Sequence, residues 1–382
     1  MYSLEGYADM LADGVRHEAL CRAVRQITKP GSVILEIGTG PGFFPILACQ
    51  AGARRVFAIE SSDVIQVARE VAVANGCADR IEFFEDVSTK VTLPERVDGI
   101  ISDLRGILPL FAQNIPSIID ARNRFLKPQG VLCPRKDTVW SAVVEVPNVY
   151  SRMVGPWEQS APAPDLSPAR RRAVNCLKRA RANPDELLTE PQLWVTLDYL
   201  KIESPDARGE LQWMVTRAGR GHGMLVWFDA DLAEGAFFSN SPFCPGSIYA
   251  SMFFPWEHPV TLAKGDTICV QMNAKLAGDD YLFRWETQVK PVGLQGQTRE
   301  HFKQSTFQGF PLSPGQIHKS ASDHIPKLTD EAVMSRRVLG LMDGHATLEE
   351  IARTLTAEFP ERFPGWHEAL KFAGALSQKY SR

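Results

Sequence analysis

No Cys-x-x-Cys pair and no His/Cys cluster at zinc-ligand spacing occurs in this chain of 382 residues. Its seven cysteines, at positions 21, 49, 77, 133, 176, 244 and 269, are scattered, which excludes a disulfide framework and a structural metal and fits a reduced, cytoplasmic protein. No apolar run approaches the roughly twenty residues of a membrane-spanning helix, and the N-terminus lacks a basic-then-apolar leader, so no membrane association is expected. A basic excess is missing too. The formal net charge is -3, whereas phosphate recognition normally shows as a strong surplus of Lys and Arg. Neither an internal repeat nor a low-complexity tract is found. What remains is an apolar content of 44% and a charged content of 23%, those of a soluble globular protein. The length exceeds one hydrophobic core, so two or three domains are expected.

The most informative stretch is Val33-Ile-Leu-Glu36-Ile-Gly38-Thr39-Gly40-Pro-Gly42. A buried-strand pattern runs straight into alternate glycines, where the backbone turns sharply and a ligand approaches without meeting a Cβ. The spacing is G-x-G-x-G rather than the G-x-G-x-x-G of a dinucleotide site. A second acid, Glu60, closes the next apolar run about twenty residues on, where a carboxylate accepts from ribose hydroxyls. Around this motif, strands are expected at 33–37, 55–60, 81–84, 98–102 and 130–133, and helices at 43–51, 62–75 and 115–125. The alternation predicts a parallel, Rossmann-like sheet over 31–133 with its ligand site at the strand C-terminal ends. Amphipathic helices precede it over residues 1–30, with apolar positions at Met10, Leu11, Val15, Leu20 and Val24.

From Pro134 the runs become β-type, predicting a barrel or sandwich over 134–310. An insertion at about 155–190 starts Pro-rich, and within it Ser167-Pro168, as N-cap and first helical residue, opens a basic helix ending before Pro184. A basic run of this kind is a solvated helix face more often than a nucleic-acid patch. Residues 311–382 form a connector and a small helical domain, marked by the capping box Thr347-Leu-Glu-Glu350.

Order and motifs together resemble the protein arginine methyltransferase family, class I enzymes that use S-adenosylmethionine (SAM), over residues 5–310. The likeness is to a divergent, bacterial-type member. By that resemblance the helices around Tyr7, Met10 and Arg16 cover the cofactor, and Arg16 pairs with its methionyl carboxylate. Glu36, Gly38, Thr39, Gly40, Glu60 and Ser61 hold the nucleoside, and Asp86, Val87 and Ser88 lie where relatives contact adenine, with Asp103 completing the cofactor set. The family's usual Val-Glu pair reads Ser88-Thr89 here. The segment ending in Ser102-Asp103-Leu-Arg105-Gly106 is similar to the family's strand-4 motif. The two glutamates expected there, nine residues apart, are replaced by Asp103 and Ala112, and the Thr-His-Trp loop reads Ser247-Ile248-Tyr249.

Two carboxylates fix a guanidinium, which stays protonated at neutral pH. Losing one of them, at Ala112, weakens that clamp and predicts transfer of the methyl group to a nitrogen or oxygen of some other peptide, protein or small-molecule acceptor, with S-adenosylhomocysteine (SAH) as product. Asp103 and the Glu257-His258 pair are the candidate catalytic groups, Asp103 orienting or deprotonating the acceptor and His258 as general base. Arg105 either binds an acidic substrate group or neutralises Asp103. The insertion sits where relatives carry a dimerisation arm, implying a head-to-tail homodimer. The last helices are faintly similar to PqqD-type peptide-recognition domains or a small winged-helix module. Two other readings stay open. One is a catalytically silent binding protein that keeps the fold; the other is a nicotinamide-dependent oxidoreductase, disfavoured by the missing third x-x-G spacing.

Overall fold

The computed structural model describes residues 3–158, 164–244, 246–293 and 297–381, in two compact units, Met1–Pro311 and Leu312–Arg382. The expected insertion at 155–190 therefore lies partly, over 159–163, outside the described residues.

Two helices open the first unit, α1 (Leu4–Ala12) and α2 (Gly14–Ile27). The break between them falls at Asp13, whose carboxylate accepts the Arg16 N–H at 3.1 Å and so caps α2. The other oxygen of Asp13 accepts the Ile248 N–H at 2.9 Å. One short acid thus starts a helix and ties it to a loop of the second half of the unit.

Strands β1 (Val33–Ile37), β2 (Arg55–Ile59), β3 (Ile81–Phe84), β4 (Val97–Ser102) and β5 (Leu126–Cys133) pair in parallel in the order β3-β2-β1-β4-β5. All five residues of β1 are buried. That burial is why the stretch reads as continuous Val, Ile and Leu instead of alternating, as in strands covered on both faces. Helices α3 (Phe43–Gln50), α4 (Ile65–Ala74) and α5 (Asn114–Phe125) make the crossovers. Strand order reverses between β1 and β4, and a parallel sheet opens a ligand crevice at the carboxyl ends beside such a reversal.

Ten further strands follow: β6 (Lys136–Val144), β7 (Lys178–Ala180), β8 (Gln192–Asp198), β9 (Ala207–Met214), β10 (Gly219–Ala233), β11 (Ala236–Ser239), β12 (Ser251–Leu262), β13 (Thr267–Ala277), β14 (Asp280–Lys290) and β15 (Glu300–Ser305). They form two antiparallel sheets. One has the order β7-β12-β10-β6-β8 with β11 added to β10, and the other the order β15-β14-β13-β9. Tyr281, Phe283, Trp285 and Val289 alternate inward along β14, and Trp213 and Trp256 are buried in the same core. A barrel was one of the two expected forms. Among the described residues the strands stay in two separate sheets, and no closed barrel forms.

The insertion is more irregular than its sequence predicts. After α6 (Pro147–Val154), the basic helix α7 covers only Ser167–Ala173, with Leu166 at the cap position and the Asp165 carboxylate accepting the Ser167 N–H at 2.9 Å. The chain leaves the helix because Asn175 turns its amide back to the Arg171 carbonyl at 2.8 Å and accepts the Ser305 N–H at 2.9 Å, after which β7 pairs with β12. Its arginines serve the chain itself. Arg172 donates to the Phe310 carbonyl at 2.7 Å, Arg181 to the Ser247 carbonyl at 2.7 Å, and Arg170 to Glu158 and the Glu257 carbonyl.

The second unit builds its own core. Helices Asp330–Leu341, Leu348–Glu358 and Trp366–Tyr380 bury Met334, Val338, Ile351, Leu355, Phe363, Ala369 and Ala373 together. The expected capping box closes: Glu350 N–H donates to the Thr347 hydroxyl at 3.3 Å and Thr347 N–H to the Glu350 carboxylate at 2.8 Å. Among the described residues no helix is long and apolar enough to cross a membrane, and no group of three potential metal ligands assembles.

Candidate active site

β1 delivers its chain into a bend that only glycine tolerates. Gly38 has φ +78° and a Cβ there would lie 2.5 Å from the Leu104 side chain; Gly40 has φ +53° and a Cβ there would lie 2.8 Å from the Tyr7 ring. Leu104 follows β4 and Tyr7 belongs to α1, so the bend is where the sheet and the covering helix meet.

Glu60, just past β2, faces this bend. Its carboxylate accepts the Gly40 N–H at 3.0 Å, and the Ser62 N–H and hydroxyl at 3.0 and 2.8 Å. Three donors leave room on a carboxylate with about four lone-pair sites. Glu36, on β1, is only 3% exposed and accepts from the Thr39 hydroxyl. Burial pushes its carboxyl well above the ordinary range, against the Thr39 hydrogen bond and with help from the nearby charges of Glu60 and Asp103.

Across the crevice, Asp103 follows directly on β4 and is the centre of a buried ionic chain. Arg16, from α2, donates Nε to Asp103 Oδ2 at 3.0 Å and adds a second bond from Nη2, while its Nη1 donates to the Met10 carbonyl at 3.1 Å. Arg105 donates Nε to Asp103 Oδ1 at 2.8 Å and Nη1 to Asp137 Oδ1 at 3.0 Å. The chain ends on the Tyr199 hydroxyl, which donates to Asp137 Oδ2 at 2.6 Å. Tyr249 adds a longer bond of 3.4 Å to Asp103 Oδ2. Burial works to raise the Asp103 carboxyl, yet the charges of Arg105 and then Arg16 hold it below the ordinary range. At Asp137 burial prevails and raises it despite Arg105 and Tyr199. Asp103 is therefore a fixed anion.

The structure thus gathers Tyr7, Met10, Arg16, Glu36, Gly38, Thr39, Gly40, Glu60 and Asp103 at one end of the sheet. Ser61 is exposed beyond Glu60. Asp86 and Val87 are exposed on the loop after β3, where the Val87 N–H folds back on Asp86 at 2.7 Å, and Ser88 is buried with its carbonyl held by Arg124 at 2.7 Å. Ala112 follows at a backbone φ of +41°. Glu257 and His258 are not brought to this cluster. They lie within strand β12; His258 is exposed, pairs with Glu300 at 3.2 Å and packs edge-on against Phe302. Of the two roles open to Arg105, the structure has it neutralising Asp103, at 1% side-chain exposure.

Asp137 and Tyr199 were missed by the sequence reading. The available signal was an acid at the second position of the apolar run that became β6, an expensive residue in a strand core unless paired.

This donor set fits SAM. Glu60 has acceptor capacity for a ribose hydroxyl, the bend excludes Cβ atoms where a nucleoside would approach, and Arg16 uses three of its five N–H donors, leaving two for a carboxylate. Comparison with known proteins agrees. Residues 18–146 match the sequence model of the ribosomal protein L11 methyltransferase (PrmA) family. The chain is similar to a probable protein arginine N-methyltransferase 6 of Arabidopsis thaliana, at 30% identity over 60% of this chain and 55% of that one. It is also similar to protein arginine N-methyltransferase 2 of Mus musculus, at 30% identity over 70% of this chain and 63% of the relative. The chain thus spans between half and two thirds of these relatives' lengths. Its fold matches the solved Arabidopsis thaliana protein arginine methyltransferase 10, with a TM-score of 0.70 and 23% identity over 79% of this chain and 97% of that one. It also matches a chain of the Trypanosoma brucei arginine methyltransferase 1 enzyme–prozyme heterotetrameric complex with AdoHcy, with a TM-score of 0.71 and 20% identity over 78% of this chain and 96% of that one.

Proposed function

We propose, for a chain that is protein-arginine-methyltransferase-like in sequence and fold, that it is a SAM-dependent methyltransferase acting on a nitrogen or oxygen of a peptide, protein or small-molecule acceptor other than a standard arginine side chain. One observation carries the reading: the glycine bend with Glu60 and the Arg16–Asp103 pair sit together at the carboxyl end of the sheet, beside the reversal of strand order. SAM supplies an electrophilic methyl on a sulfonium. The protein's part is to align that methyl with the acceptor and keep water out. Glu60 would hold the ribose and Arg16 the methionyl carboxylate, while Tyr7 closes over the bend. Ala112 at the second glutamate position and Ile248-Tyr249 in the Thr-His-Trp loop support an altered acceptor.

Calorimetry with SAM tests the cofactor half, and absence of heat at millimolar SAM would end it. Incubation with labelled SAM and candidate acceptors, read by mass spectrometry, tests the transfer. A second reading, a silent binding protein, is favoured by the crowding of Asp103, and any methyl transfer to a cell-extract component removes it. The insertion at about 155–190 stands where the resemblance to arginine methyltransferases implies a dimerisation arm, so a head-to-tail homodimer belongs to this reading, as does the cytoplasmic location that the scattered cysteines lead us to expect. Light scattering of the purified chain checks the oligomer: a monomer at micromolar concentration counts against it.

A further inference from the structure

We infer that Arg105 sets the acceptor specificity: it occupies, from inside the protein, the anionic position a cationic acceptor would need, so the acceptor atom is an uncharged oxygen or nitrogen. This rests on the methyltransferase reading above and adds to it the charge class of the substrate. Asp103 accepts four hydrogen bonds, from Arg16 Nε and Nη2, from Arg105 Nε and from Tyr249. Arg105 Nη2 stands a further 2.7 Å from its Oδ1. A carboxylate offers about four acceptor sites, so no place is left for a third guanidinium.

Arg105 has no second position to retreat to. Its side chain is 1% exposed, its far nitrogen is held by Asp137 at 3.0 Å, and its guanidinium lies 5.6 and 5.0 Å from the Phe228 and Phe238 ring centres. Asp137 is fully buried. Arg16 and Arg105 balance Asp103 and Asp137 in charge, so neither carboxylate of this ionic chain is left unpaired to receive a further cation. An uncharged acceptor needs no carboxylate partner to bind. Its lone pair forms the new bond to the methyl carbon as the carbon–sulfur bond breaks toward sulfur, leaving the thioether. The acceptor takes over the positive charge that the sulfonium gives up; Asp103 is saturated and takes no proton, so the proton passes to bulk water as the methylated product leaves the site.

The test titrates glycyl-arginyl-glycine and its citrulline counterpart into the full chain saturated with SAH. Wild type is expected to bind the arginine peptide no more than about twofold better than the neutral one. Arg105→Met strands Asp137, so it is combined with Asp137→Asn, which keeps an acceptor for Tyr199; Asp137→Asn alone serves as the folding control. In the double variant the arginine peptide is expected to gain tenfold or more over citrulline. A tenfold arginine preference in wild type, or no gain in the double variant, overturns the inference. The SAH titration that precedes each run reads the cofactor site separately: failure of wild type to bind SAH removes the methyltransferase reading, and this inference with it.

Discussion

The two banks of the crevice differ in how much hydrogen-bonding capacity they hold in reserve. On the β1–β2 side, Glu60 takes three donors, all from the loops after β1 and β2, and the glycine bend adds no Cβ of its own beside Leu104 and Tyr7. On the β4 side, Asp103 has nothing left to give, and Arg105 behind it is sealed by Asp137 and two rings. The first bank is built to receive a polar ligand. The second is closed around Asp103 and Arg105, whose polar groups act as architecture, and only Arg16 keeps donors for a ligand. A carboxylate's identity says less about function than its unused lone pairs do.

The contrast can be broken most severely at Asp103. Asp103→Ala leaves Arg16 and Arg105 buried without their anion, and the expected loss is about 3–5 kcal/mol of stability in chemical denaturation, as for other broken buried pairs. Because Arg16 loses its brace, SAM affinity should fall with it; a variant as stable as wild type would show that the ionic chain is not structural. Gly38→Val comes next. It forces a β-branched residue to φ +78° and against Leu104, and backbone strain of about 1–3 kcal/mol plus the collision should abolish detectable SAM binding by calorimetry while the β domain's tryptophan signal stays native.

Glu60→Ala sharpens the comparison by removing only the receptive acid. Loss of hydrogen bonds to a charged acceptor should weaken SAM by about 1.5–3 kcal/mol, and an unchanged dissociation constant would mean that Glu60 serves its loops alone. The smallest effect concerns Glu36. Its carboxyl is raised in the folded protein, so the native state holds the proton more tightly than the unfolded chain does. The stability this confers is present below the ordinary carboxylate range and is lost as pH climbs through the raised value. Glu36→Gln should flatten that decline in a melting-temperature series from pH 5 to 8, and an unaltered slope would assign it to another group.

The receptive bank was the legible one. Its function depends on local chemistry, alternate glycines after a buried strand and an acid closing the next, and both survive as patterns in a linear string. The parallel sheet was legible for the same reason, its strands agreeing with the observed ones to within a few residues except at β5, which was expected at 130–133 and begins at Leu126, running through Pro128 and Gly130. The saturated bank was hidden because its meaning lies in partners far apart in sequence: Arg16, Asp103, Arg105, Asp137, Tyr199 and Tyr249 meet only in the fold. The same holds for α7, where a clean helix start gave no warning that Asn175 would stop the helix, and for His258, whose neighbouring carboxylate is Glu300 and not a catalytic partner.

The pairing of Arg105 with Asp137 also bears on how such a chain changes over generations. Replacing the arginine alone leaves a solitary anion in a sealed interior, and replacing the aspartate alone leaves a cation with half its support, so each single step is penalised before any new chemistry can be rewarded. Lineages carrying this couple should hold or exchange both positions in concert, and a chain that inherits it is ratcheted away from cationic acceptors by folding itself.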